Sequence, residues 1–449
     1  MIRTVEPGPR TGEAEIPASK SRAHRLMICA ALSGRETRIK CRGISRDIAA
    51  TAACLRGMGF RIIEEGDGIT VRPGDGNTEQ TGVRTWNRPW DGTAERTGAG
   101  NAERPGDAEE DAYAVLPCGE SGSTLRFLLP VAGAMGLRGE FRMEGRLPER
   151  PLQPLWDVLA GKGMRLRREG NRLFFSGKIR PGEYRIAGNI SSQYVSGLLF
   201  ALPLLEGEST LEITGPVESA DYIAMTEEAL GQAGVPILKA GNRYRIPAGG
   251  YEHADGIRET EVEADWSSGA FFLCMGALSP GGVAVRGLKE ESRQGDRRIL
   301  EILERFGARV SRDGDRIIVC RGTLRGITVD ASGIPDLVPV IAATAAGAEG
   351  ETVIEHAGRL RLKESDRLKT TTEMLRALGA DIRETEDGLR ILGKPRLRGG
   401  RTDSFRDHRI AMSAAVAAAL CTEPVAVENA ECTEKSFPGF WEILEGMGK

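Results

Sequence analysis

Histidine, aromatic residues and an excess of positive charge are all scarce in this chain. Its 449 residues include 4 His, and 5% are aromatic. A metal site built from histidine is therefore disfavoured. The 61 Lys and Arg are balanced by 64 Asp and Glu, giving a net charge of −3. Proteins that bind nucleic acid usually carry a basic excess, so we expect no nucleic-acid partner.

Long apolar runs and paired cysteines are also missing. No run reaches the roughly 18 residues of a membrane helix, and MIRTVEPGPRTGEAEIPAS lacks the apolar core of a signal peptide. We therefore expect a cytoplasmic protein with no membrane partner. The eight Cys contain no CxxC pair, which is typical of reduced core thiols. A nucleophilic role for Cys118 is disfavoured because no His lies near it in sequence.

A polar turn that leads directly into an apolar, helix-length run occurs six times. The runs begin SKSRAHRLMICAAL at Ser19, CGESGSTLRFLLPVAGAM at Cys118, SSQYVSGLLFALPLL at Ser191, DWSSGAFFLCMGAL at Asp265, SGIPDLVPVIAATAAG at Ser332 and DHRIAMSAAVAAAL at Asp407. Strand-like segments and amphipathic helices lie between them. Chance similarity in a chain rich in Ala and Gly would not keep this order each time. The sequence therefore predicts a mixed α/β unit used six times.

These turns are candidate anion sites. Each exposes free backbone N–H groups at the positive end of a helix dipole. Basic residues stand at or soon after several of the turns, namely Lys20, Arg22, Arg25, Arg126, Arg146, Arg150, Lys363, Arg367, Arg409 and Lys435. Each one alone is more typical of a solvated surface. Together they indicate recognition of phosphate and carboxylate groups.

Two acidic residues stand among these cations. Asp336 lies at the start of the fifth apolar run, where it is either a partner of the helix dipole or a catalytic base. Glu364 lies between Lys363 and Arg367, a pattern also typical of a surface ion pair. Cations lower the pKa of a carboxyl group and burial raises it, so the sequence leaves both roles open.

Residues 73 to 111 form a separate segment between the first two runs. They are rich in Gly, Arg, Asn, Glu and Thr and poor in aliphatic residues. This composition is typical of a surface loop or a disordered insertion. The alternative is that Trp86 and Trp90 anchor this segment to the body of the protein or to a partner.

Eight motifs occur in the order found in the 5-enolpyruvylshikimate-3-phosphate (EPSP) synthase family of enolpyruvyl transferases. They are SKSRAHR, GxSGSTLR, LPERP, SSQYVSGLL, IPD, RLKESDR, DHRIAMS and EKSFPGF. The chain resembles this family from about Pro17 to the C-terminus, apart from the insertion. The resemblance implies two inverted α/β barrel domains, each with three βαβαββ units. It implies an N-terminal (upper) domain at 19–262, a C-terminal (lower) domain at 1–18 plus 263–449, and an active site in the cleft between them.

The resemblance also implies an activity. Members transfer the carboxyvinyl group of phosphoenolpyruvate to the 5-hydroxyl of 3-phosphoshikimate and release phosphate, on the route to chorismate and the aromatic amino acids. These two small molecules are the expected partners. We expect no cofactor, because protein cations can stabilise the departing phosphate. A monomer is expected.

The resemblance carries a set of site residues onto this chain. The 3-phosphoshikimate site would contain Lys20, Ser21, Arg25, Ser191, Ser192, Gln193, Ser219, Asp336 and Lys363. The phosphoenolpyruvate site would contain Lys20, Gly122, Arg150, Gln193, Arg367, Arg409 and Lys435. The catalytic residues would be Asp336, Glu364 and Lys20. Asp336 would take the hydroxyl proton with help from Lys363, and Glu364 would protonate the methylene carbon and later remove that proton.

This chain departs from the family pattern at two places. Glu120 and Ser121 stand where an Asn-Ala pair is common, although Gly122 is retained. Arg359 stands where many members have an Asn that contacts the shikimate moiety, and its role is left unassigned.

Two alternative functions are open at this point. One is the sister enzyme that acts on UDP-N-acetylglucosamine, which carries a Lys-Asn pair where this chain has Lys20 and Ser21, and a Cys loop that is not found here. The other is a non-catalytic anion-binding protein of the same fold. The presence of Asp336, Glu364 and Lys20 argues against the second alternative.

Overall fold

The computed structural model describes residues 1–73, 113–251 and 256–448. The insertion expected at residues 73 to 111 lies outside the described residues, apart from Pro73. The alternative roles of Trp86 and Trp90 fall in this part of the chain. The described residues therefore carry the account of the fold that follows.

The first half of the chain alternates strands and helices. The strands are β1 (Ile2–Val5), β2 (Gly12–Glu15), β3 (Thr37–Lys40), β4 (Arg61–Glu65), β5 (Gly68–Arg72), β6 (Tyr113–Gly119), β7 (Arg138–Met143), β8 (Arg165–Glu169), β9 (Arg172–Ser176), β10 (Gly182–Ala187), β11 (Ser209–Thr214), β12 (Leu238–Ala240), β13 (Arg243–Ile246) and β14 (Glu259–Glu261). The helices are α1 (Lys20–Leu32), α2 (Arg46–Gly57), α3 (Gly122–Met135), α4 (Leu155–Gly161), α5 (Ser192–Ala201) and α6 (Ala220–Gln232).

The second half repeats this alternation. Its strands are β15 (Val283–Arg286), β16 (Arg309–Asp313), β17 (Arg316–Cys320), β18 (Thr328–Asp330), β19 (Glu351–Glu355), β20 (Asp381–Glu384), β21 (Leu389–Leu392), β22 (Gly400–Asp403) and β23 (Val425–Glu428). Its helices are α7 (Trp266–Ala277), α8 (Ile299–Phe306), α9 (Val338–Ala345), α10 (Arg367–Ala377), α11 (His408–Ala417) and α12 (Phe440–Glu445). Short 3-10 helices include Gly295–Arg298, Pro335–Leu337, Gly358–Leu362 and Ala430–Lys435.

The described strands form six sheets, and five of these sheets share one topology. In the sheet of β6 to β9, β6 and β7 are parallel, β9 is antiparallel to β7, and β8 pairs with β9 at the edge. Helices α3 and α4 connect the first three of these strands. This arrangement is the βαβαββ unit, so the predicted repeat is confirmed. The sixth sheet differs, because it has three strands in the order β1, β23, β22.

Two of the units exchange their first strands. Strand β2 precedes α1 in the chain but pairs with β15, whereas β14 precedes α7 but pairs with β3. The two chain passages that result lie side by side. The Ser19 N–H donates to the Glu263 carbonyl at 2.8 Å, and the Asp265 N–H donates to the Pro17 carbonyl at 2.9 Å. Paired backbone groups therefore link the passages to each other.

Two separate hydrophobic cores result from this topology. One core contains buried residues from Ala18 to Val262, and we call this part of the fold the upper half. The other contains Val5, Ala14 and Ile16 together with residues from Ala264 to Met447, and we call it the lower half. The fold is therefore a two-domain mixed α/β fold in which the six open sheets surround helices.

Side-chain caps fix where the apolar helices of the repeats begin. The Ser19, Ser121, Ser191, Asp265 and Asp407 side chains each accept a hydrogen bond from a backbone N–H two or three residues later. These helices are apolar on most faces, and in α7 every residue is buried. Such helices belong in the interior, so each half is centred on them.

The cysteines and the helices agree with an ordinary globular interior. All eight cysteines are unpaired. Burial raises the pKa of the Cys118 thiol to about 12, and its Sγ lies 3.2 Å from the Arg142 carbonyl oxygen. A protonated, buried thiol is a poor nucleophile. In the part of the chain that the structure describes, we find no helix with the length and apolar character needed to cross a membrane.

Helices α3 and α5 pack closely at Gly197. A Cβ at this position would overlap the carbonyl oxygen of Arg126 in α3. We expect Gly197→Ala to lower the free energy of unfolding by about 1 to 3 kcal/mol, because overpacking forces the two helices apart. Urea unfolding measures the change.

Gly231→Ala is the matched control for this substitution. Gly231 also lies within a helix, α6, but open space surrounds its Cβ position. Better helix propensity should therefore raise the free energy of unfolding, by up to about 1 kcal/mol. Equal effects of the two substitutions would contradict the close packing at Gly197.

Candidate active site

A cleft between the upper and lower halves collects the predicted site residues. The upper half contributes Lys20, Ser21, Arg25, Gly122, Arg150, Ser191, Ser192, Gln193 and Ser219 to its lining, and the lower half contributes Asp336, Lys363, Glu364, Arg367 and Arg409. Lys435 lies at the edge of the cleft, where its Nζ is 3.8 Å from Glu364 Oε1. The residues scattered along the sequence are thus brought together in one space.

Five of the six repeat helices begin at this cleft, and the fourth does not. The fourth is α7, and its first turn contacts a buried acid: the Ser267 hydroxyl donates to the carboxylate of Asp296. Asp296 is buried, and burial raises its pKa to about 7. The start of α7 is therefore in contact with the Asp296 carboxylate of the lower half.

Arg367 is the central cation of the lower half, with 1% of its side chain exposed. Its Nε donates to Asp407 Oδ2 at 2.8 Å, its Nη1 donates to Asp336 Oδ1 at 2.8 Å, and its Nη2 donates to Glu364 Oε2 at 2.8 Å. Asp407 is fully buried, whereas Asp336 and Glu364 border the cleft. One guanidinium group therefore fixes both cleft acids from behind.

Asp336 stands in the 3-10 helix that leads into α9. Besides Arg367, it receives a hydrogen bond from Arg409 Nη2 at 3.1 Å, and Lys363 Nζ lies 3.7 Å from its Oδ1. Burial acts to raise the pKa of Asp336, but Arg409, Lys363 and Arg367 together hold it well below its usual range. The carboxylate is therefore ionised and can accept a proton from a bound hydroxyl.

Glu364 has a different set of cations. In addition to Arg367, it has Arg150 Nη1 at 3.6 Å and Lys435 Nζ at 3.8 Å. Burial acts to raise the pKa of Glu364, but Arg367, Arg150 and Lys435 hold it well below its usual range. Its proton affinity is therefore controlled by cations that an incoming anion could attract away.

Lys363 is a cation of the cleft with a lowered pKa. Burial lowers its pKa to about 8, although the neighbouring Asp336 acts in the opposite direction. The ammonium group can therefore lose its proton just above neutral pH. A lysine in this state can take part in proton transfer as well as in binding an anion.

The upper half holds its cations in fixed positions. Arg25 donates from Nε to Thr226 Oγ1 at 2.8 Å and from Nη2 to the Tyr222 carbonyl at 2.8 Å. Lys20 Nζ donates to Asp47 Oδ2 at 3.1 Å. These side chains stand next to the N-terminus of α1, so cations and free N–H groups face the cleft together.

Arg126 and Gly122 shape the other end of the upper half. Arg126 Nη1 donates to Gln193 Oε1 at 2.8 Å, which orients the amide of Gln193 in the cleft. A Cβ at Gly122 would lie 2.8 Å from the terminal nitrogens of both Arg126 and Arg150. The glycine therefore leaves room for two guanidinium groups side by side.

Several ion pairs cross the cleft. Lys435 of the lower half donates to Glu120 Oε2 of the upper half at 3.0 Å, and Arg150 approaches Glu364. Arg359 pairs with Glu218 and donates from Nη2 to Ser219 Oγ at 3.1 Å. The two halves are therefore in direct polar contact across their cleft.

Sequence reasoning missed some residues of the site. Asp407 caps α11 and binds Arg367, and its position at the start of the sixth run was a usable signal. Asp47, the partner of Lys20, carries no such signal in its sequence. Arg126 was noted as a basic residue, but its hydrogen bond to Gln193 depends on the packing of α3 against α5. Among the described residues, no group of three or more His, Cys, Asp or Glu could hold a metal ion.

The arrangement has a clear chemical capacity. Cations from both halves surround two carboxylates that differ in their neighbours, within a cleft lined by the starts of several helices. Such a cleft can bind two anions at once and place an acid and a base between them.

Known proteins match the chain along nearly its whole length. The profile of the family described as EPSP synthase (3-phosphoshikimate 1-carboxyvinyltransferase) matches residues 5–87 and 93–444. A protein from Clostridium kluyveri named 3-phosphoshikimate 1-carboxyvinyltransferase is 39% identical over 447 residues. A protein of the same name from Clostridioides difficile is 36% identical over 447 residues. Each comparison covers 99% of this chain and 97% of the relative.

Solved structures agree with this result. EPSP synthase from Acinetobacter baumannii has a TM-score of 0.73 at 25% identity and covers 100% of both chains. The enolpyruvyl transferase NikO from Streptomyces tendae has the same TM-score of 0.73 at 18% identity, covering 100% of this chain and 97% of that one. The second likeness concerns the fold alone. The match of the family profile and the identity to these relatives show that the chain belongs to the EPSP synthase family.

Proposed function

We propose that this protein transfers the carboxyvinyl group of phosphoenolpyruvate to the 5-hydroxyl of 3-phosphoshikimate, releasing phosphate. The observation that carries this proposal is the pair of acids, Asp336 and Glu364, held among cations in a cleft between the halves. The relatives that bear the name of this activity extend over 99% of the chain. This near-complete coverage favours an enzyme over a non-catalytic anion-binding protein of the same fold.

We also propose domain boundaries at the two chain passages. The upper domain is 19–262, and the lower domain is 1–18 plus 263–449. The division of the buried residues into two cores supports these boundaries. A cleft between domains allows substrates to enter when the domains separate and excludes water when they close.

The phosphate of 3-phosphoshikimate binds on the upper side. Ser21, Ser191, Ser192 and Ser219 supply hydroxyl groups, Arg25 and Lys20 supply charge, and Gln193 lies between the two substrates. The capped starts of α1 and α5 add backbone N–H groups to this side. Asp336 and Lys363 receive the hydroxyl groups of the ring from the lower side.

Phosphoenolpyruvate binds beside it, among the strongest cations. Arg367 and Arg409 bind its carboxylate, and Arg150, Lys435 and Lys20 surround its phosphate next to Gly122. Arg367 and Arg409 now hold Asp336, so their planar groups must be shared with the arriving carboxylate. Guanidinium groups can do this because each has several donors in a fixed fork.

Binding of phosphoenolpyruvate prepares Glu364 to act as an acid. The anion draws Arg150, Arg367 and Lys435 towards itself, so these cations stabilise the Glu364 carboxylate less and its pKa rises. Once protonated, Glu364 gives its proton to the methylene carbon. Carbon 2 then carries positive charge and is attacked by the 5-hydroxyl oxygen, whose proton passes to Asp336.

The second half of the reaction reverses the proton transfer at carbon. The tetrahedral adduct loses phosphate, which leaves with the electrons of its C–O bond and takes up the proton held by Asp336. The Glu364 carboxylate removes a proton from the methyl group and re-forms the double bond. Lys20, Arg150 and Lys435 stabilise the charge that develops on the phosphate.

A direct assay separates the proposed function from that of the sister enzyme. Phosphoenolpyruvate is mixed with either 3-phosphoshikimate or UDP-N-acetylglucosamine, and phosphate release is followed. We expect release with 3-phosphoshikimate alone. Release with the UDP-sugar alone, or with neither acceptor, would refute the proposal.

Replacing the proposed base tests its role. Asp336→Asn should lower kcat by about 100-fold or more, because an amide cannot accept the hydroxyl proton. Binding of 3-phosphoshikimate, measured by calorimetry, should persist. Asp330→Asn is the control, because Asp330 is exposed on the same repeat and pairs with His356 outside the cleft. Equal turnover of the two variants would contradict the role of Asp336.

The pKa of Lys363 predicts a pH dependence. Because that pKa is lowered to about 8, the ammonium charge is present below this pH and is lost as the pH rises through it. We therefore expect kcat/KM for 3-phosphoshikimate to fall above about pH 8. Lys363→Arg keeps the charge and should remove this limb, whereas Lys369→Arg, at an exposed site, should leave it in place. An unchanged limb in Lys363→Arg would assign the titration to another group.

A further inference from the structure

The Glu120 carboxylate forms an ion pair with Lys435, the cation at the edge of the proposed phosphoenolpyruvate site. Glu120 precedes the cap of α3 in the upper half, and Lys435 ends the 3-10 helix Ala430–Lys435 in the lower half. Lys435 Nζ donates to Glu120 Oε2 at 3.0 Å and lies 3.4 Å from the Glu120 carbonyl oxygen. The ion pair therefore crosses the edge of the cleft.

The two partners of this pair differ in their contact with water. The Lys435 side chain is 8% exposed, whereas the Glu120 side chain is 41% exposed. Burial acts to lower the pKa of Lys435, but Glu364, Asp47 and Glu120 raise it above its usual value. Lys435 therefore keeps its charge and needs an anion beside it. Because the Glu120 side chain is already partly hydrated, it can turn fully into water at little cost beyond the loss of the ion pair.

The backbone opposite Glu120 leaves room for its carboxylate. Gly145 has a φ of 53°, in the left-handed region. A Cβ at this position would lie 2.6 Å from Glu120 Oε1 and 3.0 Å from its Cγ. The absence of a side chain at Gly145 thus permits the position in which Glu120 reaches Lys435.

We propose that Glu120 is an internal competitor for the anionic substrate that binds at Lys435. In the empty cleft its carboxylate stands in for the phosphate group of that substrate and joins the two halves. An arriving phosphate must displace Glu120 from Lys435, which lowers the apparent affinity for phosphoenolpyruvate. The identity of the substrate rests on the proposed function, whereas the competition rests on the ion pair.

Removing the charge of Glu120 tests this competition. Phosphoenolpyruvate alone is titrated into the wild-type protein and into Glu120→Gln, and the two dissociation constants are compared. We expect Glu120→Gln to bind up to about fivefold more tightly, the upper end of the range for loss of one partly exposed ion pair. Binding of 3-phosphoshikimate alone should be the same in both proteins. An equal or weaker affinity of Glu120→Gln for phosphoenolpyruvate would overturn the proposal.

A matched control and a second variant separate charge from geometry. Glu206→Gln removes a Glu–Lys pair of similar length, 2.8 Å to Lys178, on the exposed surface of the upper half, and should leave both affinities unchanged. Gly145→Ala keeps the charge of Glu120 but takes its space, so it should also tighten binding of phosphoenolpyruvate. Weaker binding in Gly145→Ala with an unchanged melting temperature would count against the proposal.

The outcome is independent of turnover. Phosphate release from both substrates, measured in parallel, decides the proposed function, and the ratio of dissociation constants decides the role of Glu120. A wild-type protein that releases no phosphate while Glu120→Gln binds phosphoenolpyruvate more tightly would refute the first and support the second. Release with equal dissociation constants would do the reverse.

Discussion

The arrangement of the cleft depends on one buried guanidinium group. Arg367 lies between Asp407, Asp336 and Glu364, which belong to three separate segments of the lower half. A buried cation is tolerated only when its donors are satisfied, and each buried carboxylate has the same requirement. The buried pair of Arg367 and Asp407 therefore positions the two cleft acids. Loss of Arg367 or of Asp407 would leave an uncompensated buried charge.

In the proposed reaction, the cations of the cleft have two sets of partners at different stages. Without substrates, Arg409 holds Asp336, and Arg150 and Lys435 approach Glu364. In the proposed reaction, substrate anions compete for the same groups. This exchange couples binding to chemistry, because a carboxylate that loses a cation becomes a better proton carrier. A cleft filled by its own acids also avoids the repulsion that a cluster of unpaired cations would suffer.

Local patterns in the sequence predicted the repeats and most of the basic residues of the cleft, whereas the polar residues Ser21, Gln193 and Ser219 were implied by the family resemblance. Ser19, Ser121 and Ser191 cap their helices as their sequences indicate. The fate of the fourth start was not predictable, because Asp296, which contacts it, comes from a segment about 30 residues away with no signal of its own. No local pattern indicated the exchange of β2 and β14, although the family resemblance implied that the chain passes between the domains near residues 18 and 262. Their pairing partners are set by long-range contacts that short polar strands do not encode.

The exchange of strands has a consequence for synthesis on the ribosome. All strands of the upper half lie between residues 37 and 261, so this half can complete its sheets while the rest of the chain is still being made. Strands β1 and β2 are made first but must wait, β2 for β15 and β1 for β23 at residues 425 to 428. Until then their unpaired edges are open to other chains. The lower half is thus the last part to fold and the one most in need of protection during translation.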